Sequence, residues 1–81
     1  MKFMKLRPGA ITPTYGSADA AGADLYACLE EPMTILPGQT GKIPTGIAME
    51  IPKDYVGLIF ARSSLGVKRG LAPANKVGVI D

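Results

Sequence analysis

Apolar and polar positions alternate with a period of two along this chain, and a glycine or proline interrupts each run after a few residues. In "GIAMEIP", Ile47, Met49 and Ile51 alternate with Ala48 and Glu50, and in "KFMKLR", Met4 and Leu6 alternate with Lys5 and Arg7. That spacing gathers apolar side chains on one face of a β-strand. "DYVGLIFA", residues 54–61, is a more continuous apolar run, as expected of a strand covered on both faces. "NKVGVID", Asn75 to Asp81, carries the β-branched Val77, Val79 and Ile80, which favour a pleated, half-buried backbone. Short strands are therefore expected near residues 2–7, 24–28, 33–36, 40–43, 46–51, 55–61 and 76–80, joined by Gly/Pro turns. Ten glycines and seven prolines among 81 residues leave no room for a helix of ordinary length. One or two helical turns after Ser64 are the exception. The pattern predicts an all-β domain, an antiparallel sandwich or barrel.

Composition narrows the picture. Eighty-one residues bound the chain to one domain, near the lower end of what a single core stabilises unaided, since below roughly 70–80 residues a staple or partner is usual. Cys28 is the single cysteine, so no internal disulfide can form, and a reducing compartment is expected. The absence of histidine removes the commonest general base and the commonest zinc ligand. A net charge of +2 is too mild for a surface that coats nucleic acid, though it permits a local anionic ligand. No apolar stretch approaches the ~20 residues of a membrane span, and no apolar region follows the basic "MKFMKLRPG" as it would in a secretory signal. The expectation is a soluble protein, cytoplasmic or else nuclear or viral, that engages neither nucleic acid nor membrane.

Three places carry candidate chemistry. "FARSSLG" ends an apolar run in Arg62, Ser63 and Ser64, so a guanidinium, two hydroxyls and several backbone N–H groups meet at one strand-to-turn junction. Such groups suit phosphate, because the planar fork grips two oxygens and N–H groups opening a helical turn point toward negative charge. A helix cap followed by a surface arginine is the plainer alternative. In "AGADLYA", Asp24 stands where a small-residue loop becomes a strand. A carboxylate there can face a ligand or a hydrated Mg²⁺, which keeps much of its water, or can simply brace a turn. Asp81 closes the last apolar run, and without histidine a carboxylate is the available general base. Asn75 could offer a donor and an acceptor to a base edge or occupy a turn. Tyr26 and Tyr55 read as core or rim aromatics.

Taken together and in order, "AGADLYA", "PTGIAMEIP", "ARSSLG" and "NKVGVID" resemble the trimeric dUTPase family, from about Met4 to Asp81. The resemblance implies a distorted jelly-roll or β-barrel of dUTPase type, a homotrimer with active sites built from more than one subunit, and Mg²⁺-assisted hydrolysis of dUTP to dUMP and pyrophosphate. It implies that Asp24 holds a hydrated Mg²⁺ through water, that Arg62, Ser63 and Ser64 contact the phosphates, and that Gly66 belongs to the substrate-binding set. Asn75 and Gly78 would lie on the hairpin that reads uracil, and Asp81 would orient the water that attacks the α-phosphate. Ala61 stands where many members have proline, which should leave the strand end less stiff. The family's third motif continues past this aspartate to an aromatic under the deoxyribose. Its fourth motif and its glycine-rich, arginine-bearing fifth have no counterpart here. The chain thus resembles the N-terminal part of a dUTPase, incomplete at the C-terminus, and the 81 residues alone are expected to be inactive or nearly so. Two rivals stand beside this reading. One is a dCTP deaminase-like enzyme, which shares the fold and an Arg-Ser-Ser-Leu-Gly stretch like residues 62–66. The other is a non-catalytic module that binds nucleotide or a protein partner through exposed strands.

Overall fold

A computed structural model describes residues 1–62 and 70–81. The described residues contain no helix, and their regular structure is entirely strand: β1 (Lys2–Lys5), β2 (Ile47–Glu50), β3 (Gly57–Ile59) and β4 (Gly78–Ile80). They divide into two compact units, one of residues 2–50 and one of residues 51–81 with Met1. The all-β expectation holds among the described residues. The helical turns expected after Ser64 lie outside the described residues.

In the first unit β1 and β2 pair antiparallel, with Phe3 opposite Met49 and Met4 opposite Ala48. Ile47, Met49 and Ile51 are half-buried while Ala48 and Glu50 are exposed, as the alternation predicts. β1 differs from expectation. Phe3 is its half-buried apolar residue, whereas Met4 and Leu6 are 65% and 61% exposed. The register explains this: once Phe3 faces Met49, the two-residue period sends Met4 to the opposite face.

Turns follow the proline and glycine positions. In Arg7-Pro8-Gly9-Ala10 the Ala10 N–H donates to the Arg7 carbonyl at 3.3 Å, and in Leu36-Pro37-Gly38-Gln39 the Gln39 N–H donates to the Leu36 carbonyl at 2.9 Å. Each has proline second and a positive-φ glycine third, at φ 84 and 80, which makes it a type II turn. Flanking the second turn, residues 33–36 and 40–43 do not form the expected strands, and residues 24–28 contribute only an isolated bridge between Asp24 and Thr14. A strand needs a continuous ladder to a neighbour. Here the backbone bonds are sparse, such as the Cys28 N–H donating to the Pro44 carbonyl at 2.8 Å.

Gly46 is a close backbone approach in the first unit. It is buried at φ 68, its carbonyl accepts from the Leu6 N–H at 2.7 Å, and an added Cβ would meet Ala10 Cβ at 3.0 Å and Cys28 Sγ at 3.3 Å. In the second unit, Asp54 has φ 70 in the turn where the Tyr55 N–H donates to the Pro52 carbonyl at 3.1 Å. That turn position favours glycine. Opposite effects are expected on the intact protein that carries these residues. Gly46→Ala should destabilise by about 1–3 kcal/mol through strain and crowding, and Asp54→Gly should stabilise by up to about 1 kcal/mol. Thermal unfolding of the two variants, read as shifts of opposite sign, checks this.

The second unit holds the ribbon of β3 and β4, paired antiparallel with Gly57 opposite Ile80, Leu58 opposite Val79 and Ile59 opposite Gly78. One face is formed by the two glycines and two isoleucines, with Ile51 beside Gly57. Each glycine makes room for the isoleucine across from it: a Cβ on Gly78 would come 3.3 Å from Ile59 Cβ, and one on Gly57 would come 3.4 Å from Ile80 Cβ. The other face presents Leu58 and Val79, 51% and 66% exposed, and Phe60 beyond the strand is 63% exposed. The expectation that residues 54–61 are covered on both faces is therefore not met. No layer among the described residues lies over Leu58 and Val79 to bury them.

Candidate functional site

Asp24 belongs to the first unit. Its backbone forms both bonds of the bridge with Thr14: the Asp24 N–H donates to the Thr14 carbonyl at 2.6 Å, and the Thr14 N–H donates to the Asp24 carbonyl at 3.3 Å. Two residues on, the Tyr26 hydroxyl shares a 2.6 Å hydrogen bond with Thr14 Oγ1. This side-chain tie from Tyr26 fastens the same strand-like crossing a second time. The Asp24 carboxylate lies over the Gly16 backbone, where an added Cβ would stand 3.7 Å from Oδ2. Asp24 is half-buried, held at the main chain, and packed against a residue with no side chain. The Thr14–Tyr26 pair was not singled out from sequence. The signal that could have found it is the two-residue spacing of Asp24 and Tyr26.

The remaining described candidates belong to the second unit. Arg62 follows β3 by three residues and is exposed, Asn75 is exposed on the turn that precedes β4, Gly78 opens β4, and Asp81 follows it directly. The register sorts them. Because Ile59 pairs with Gly78, the β3 end that leads to Arg62 lies beside the β4 end that holds Gly78 and Asn75. Ile80 pairs with Gly57, so Asp81 emerges at the opposite end of the ribbon, about 10 Å along the strand from Gly78 at ~3.3 Å per residue. Arg62, Asn75 and Gly78 thus share one end, and Asp81 occupies the other. Ser63, Ser64 and Gly66 lie outside the described residues. Tyr55 is exposed and Tyr26 borders on exposed, which places both at the rim.

Among the described residues no group of three or more His, Cys, Asp or Glu side chains could cage a metal ion. Asp24 offers a single hard carboxylate. That donor set fits an ion that keeps water and phosphate oxygens as most of its ligands, which is the habit of Mg²⁺. A separate groove of ≈ 460 Å³, lined by Arg7, Pro8, Gly9, Ala27, Cys28, Leu29 and Glu30, contains none of the candidate residues. No helix among the described residues is long and apolar enough to cross a membrane.

The model of one protein family, described as dUTPase, matches residues 9–81, a span that holds every candidate residue named above. A deoxyuridine 5'-triphosphate nucleotidohydrolase of Desulfitobacterium hafniense is 57% identical over 70 residues, covering 85% of this chain and 46% of the relative. Proteins of the same name from Chlamydia felis and Paraburkholderia xenovorans are 44% identical over 79 residues and 43% over 82 residues. Those two matches cover 98% and 100% of this chain, and 54% and 55% of the relatives. The chain spans about half the length of the curated relatives it matches.

Proposed function

Because the chain belongs to the dUTPase family, we propose that the intact protein carrying these residues hydrolyses dUTP to dUMP and pyrophosphate, and that this chain supplies the metal-side carboxylate, the base-reading hairpin and the general base. The observation that carries the reading is the match over residues 9–81, which includes Asp24, Arg62, Asn75, Gly78 and Asp81 in one collinear order.

Each group has a chemistry suited to its role. The Asn75 side chain presents an N–H donor and a carbonyl acceptor, the complement of uracil's alternating acceptor and donor edge. Gly78 lets that edge approach the backbone without a side chain in the way. Asp81 accepts a proton from water as the water oxygen bonds to the α-phosphorus. The bond from that phosphorus to the bridging oxygen then breaks, and pyrophosphate leaves with the electron pair. The Arg62 guanidinium grips phosphate oxygens as a planar fork, with Ser63 and Ser64 assigned to the same phosphates and Gly66 to substrate binding beside them. Asp24 would hold a hydrated Mg²⁺ through water, and the ion would neutralise phosphate charge when bound. Such chemistry depends mainly on positioning and electrostatics, and these groups contribute to both. The assembly proposed is a homotrimer, and the compartment cytoplasmic.

The test is hydrolysis of dUTP by the intact protein in ¹⁸O-labelled water with Mg²⁺. Label in dUMP and none in pyrophosphate is the expected result, since attack is assigned to the α-phosphorus. Label in pyrophosphate would overturn that assignment. Ammonia release from dCTP without dUTP cleavage would replace it with a deaminase.

A further inference from the structure

Lys76 has φ 67, inside the left-handed region, although it is not glycine. Two hydrogen bonds define its surroundings. The Lys76 N–H donates to the Pro73 carbonyl at 2.9 Å, and the next N–H, that of Val77, donates to the Asn75 carbonyl at 2.7 Å. A bond from one residue to the second one before it, closed around a residue with φ near +70, is the positive-φ form of the γ-turn, which is rare and strained. A Cβ disfavours this conformation, and a second branch at Cβ disfavours it further. Asp54 has a similar φ, but it occupies a type II turn, a common setting for positive φ at that place. The turn at Lys76 joins Asn75 to the first residues before β4.

The consequence lies in what the γ-turn fixes. It folds the Asn75 carbonyl back onto Val77 and so sets the plane of the peptide that leaves Asn75. The β4 ladder then begins at Gly78, where Ile59 across the ribbon holds the backbone in place. An extended link between Asn75 and Gly78 would spread them by about 10 Å. The tight turn shortens that link and brings both to one shoulder of the hairpin. Strain of this kind persists where the surrounding structure over-determines it, and it clusters at ligand-binding positions.

We infer that Lys76 is a positioning residue for base recognition: its left-handed backbone, not its ammonium group, sets Asn75 against Gly78 so that the two read one pyrimidine edge. This rests on the reading above that Asn75 and Gly78 contact uracil.

The experiment titrates intact protein with the α,β-imido analogue of dUTP, with the matching dCTP analogue, and with pyrophosphate. The variants are Lys76→Gly, Lys76→Met and Lys76→Val. Lys76→Gly adopts the turn without a Cβ, and Lys76→Met removes the charge while leaving the side chain unbranched. Both should keep affinity for the dUTP analogue within about threefold of the unsubstituted protein. Lys76→Val should lose about tenfold or more for the dUTP analogue, with a reduced preference over the dCTP analogue and unchanged pyrophosphate affinity. Lys76→Thr, also branched at Cβ, provides the same contrast if the valine variant does not fold, and should lose affinity for the dUTP analogue in the same direction. Loss by Lys76→Met as large as that by Lys76→Val would overturn the inference, because charge would then be the determinant. So would valine binding like the unsubstituted protein, or a valine variant that loses pyrophosphate in parallel. Failure of the unsubstituted protein to prefer the dUTP analogue is a different result. It would remove the base-reading assignment itself, and this inference with it.

Discussion

Asp81→Asn is expected to lower kcat for dUTP hydrolysis by about 10²–10⁴-fold while leaving KM within about threefold. Asparagine keeps the size of the side chain and can still accept a hydrogen bond from water, but it does not take up a proton at neutral pH. The choice of Asp81 follows from what the chain contains. These 81 residues hold no histidine, so the bases that this chain itself offers to water are its Asp and Glu carboxylates. Glu30 lines the separate groove with Glu31 next to it in sequence, Glu50 stands opposite Lys2 in the β1–β2 ladder, and Asp19 and Asp54 occupy turns. Asp24 is assigned to the metal. Asp81 directly follows β4, the strand that Gly78 opens. The Asp24→Asn variant separates the two carboxylates. It should raise the Mg²⁺ concentration needed for half-maximal rate and recover at high Mg²⁺, whereas Asp81→Asn should not recover. Rescue of Asp81→Asn by Mg²⁺, or a kcat unchanged by that substitution, would remove Asp81 from the role of base.

Local backbone chemistry was the most legible part of the fold. Pro8-Gly9 and Pro37-Gly38 each form the turn that their residues favour, because proline presets one φ and glycine supplies the other. The alternation from Ile47 to Ile51 identifies β2 and its half-buried face. The orientation of β1 was not legible. Phe3 and Met4 are adjacent and both apolar, and only pairing with Met49 decides which one turns inward. Pairing is also what residues 24–28, 33–36 and 40–43 lack, since composition can suit a strand without supplying a neighbour to ladder with. At the site, residue types nominated Asp24, Asn75 and Asp81 and the family resemblance added Gly78, but the sequence does not reveal that Gly78 also makes room for Ile59. Lys76 gave no signal at all. Lysine carries no left-handed preference, so its φ becomes visible only through the bond from Val77 to Asn75.

The 81-residue polypeptide made by itself is expected to hydrolyse dUTP at least about 10³-fold more slowly than the intact protein, and to recover when the segment of a relative that its match leaves uncovered is supplied. Among its described residues only Ala10 and Gly46 are buried. A domain gains most of its stability from apolar burial set against a comparable loss of chain entropy, and an open ribbon gains little of it. Leu58 and Val79 form one exposed face, Phe60 lies just beyond, and Met4 and Leu6 are uncovered in the other unit. Open faces and unpaired edges of this kind favour association with any available strand. Positioning suffers as well: well-oriented groups supply about 7–11 kcal/mol of a reaction barrier, and a hairpin without a covering layer does not hold Asn75, Gly78 and Asp81 to such tolerance. The measurement is dUMP release by the isolated chain, followed by titration with the portion of the Desulfitobacterium hafniense relative that its match does not cover. The match spans 46% of that relative, so the remainder is longer than the matched segment. Activity should rise with added segment and saturate, while binding of a hydrophobic dye to the isolated chain falls in step, as expected when strand addition both buries the apolar face and fixes the site. Full turnover by the isolated chain would show that exposure of these faces costs the site nothing. Loss of dye binding without recovery of turnover would show that covering the faces is not what the site requires.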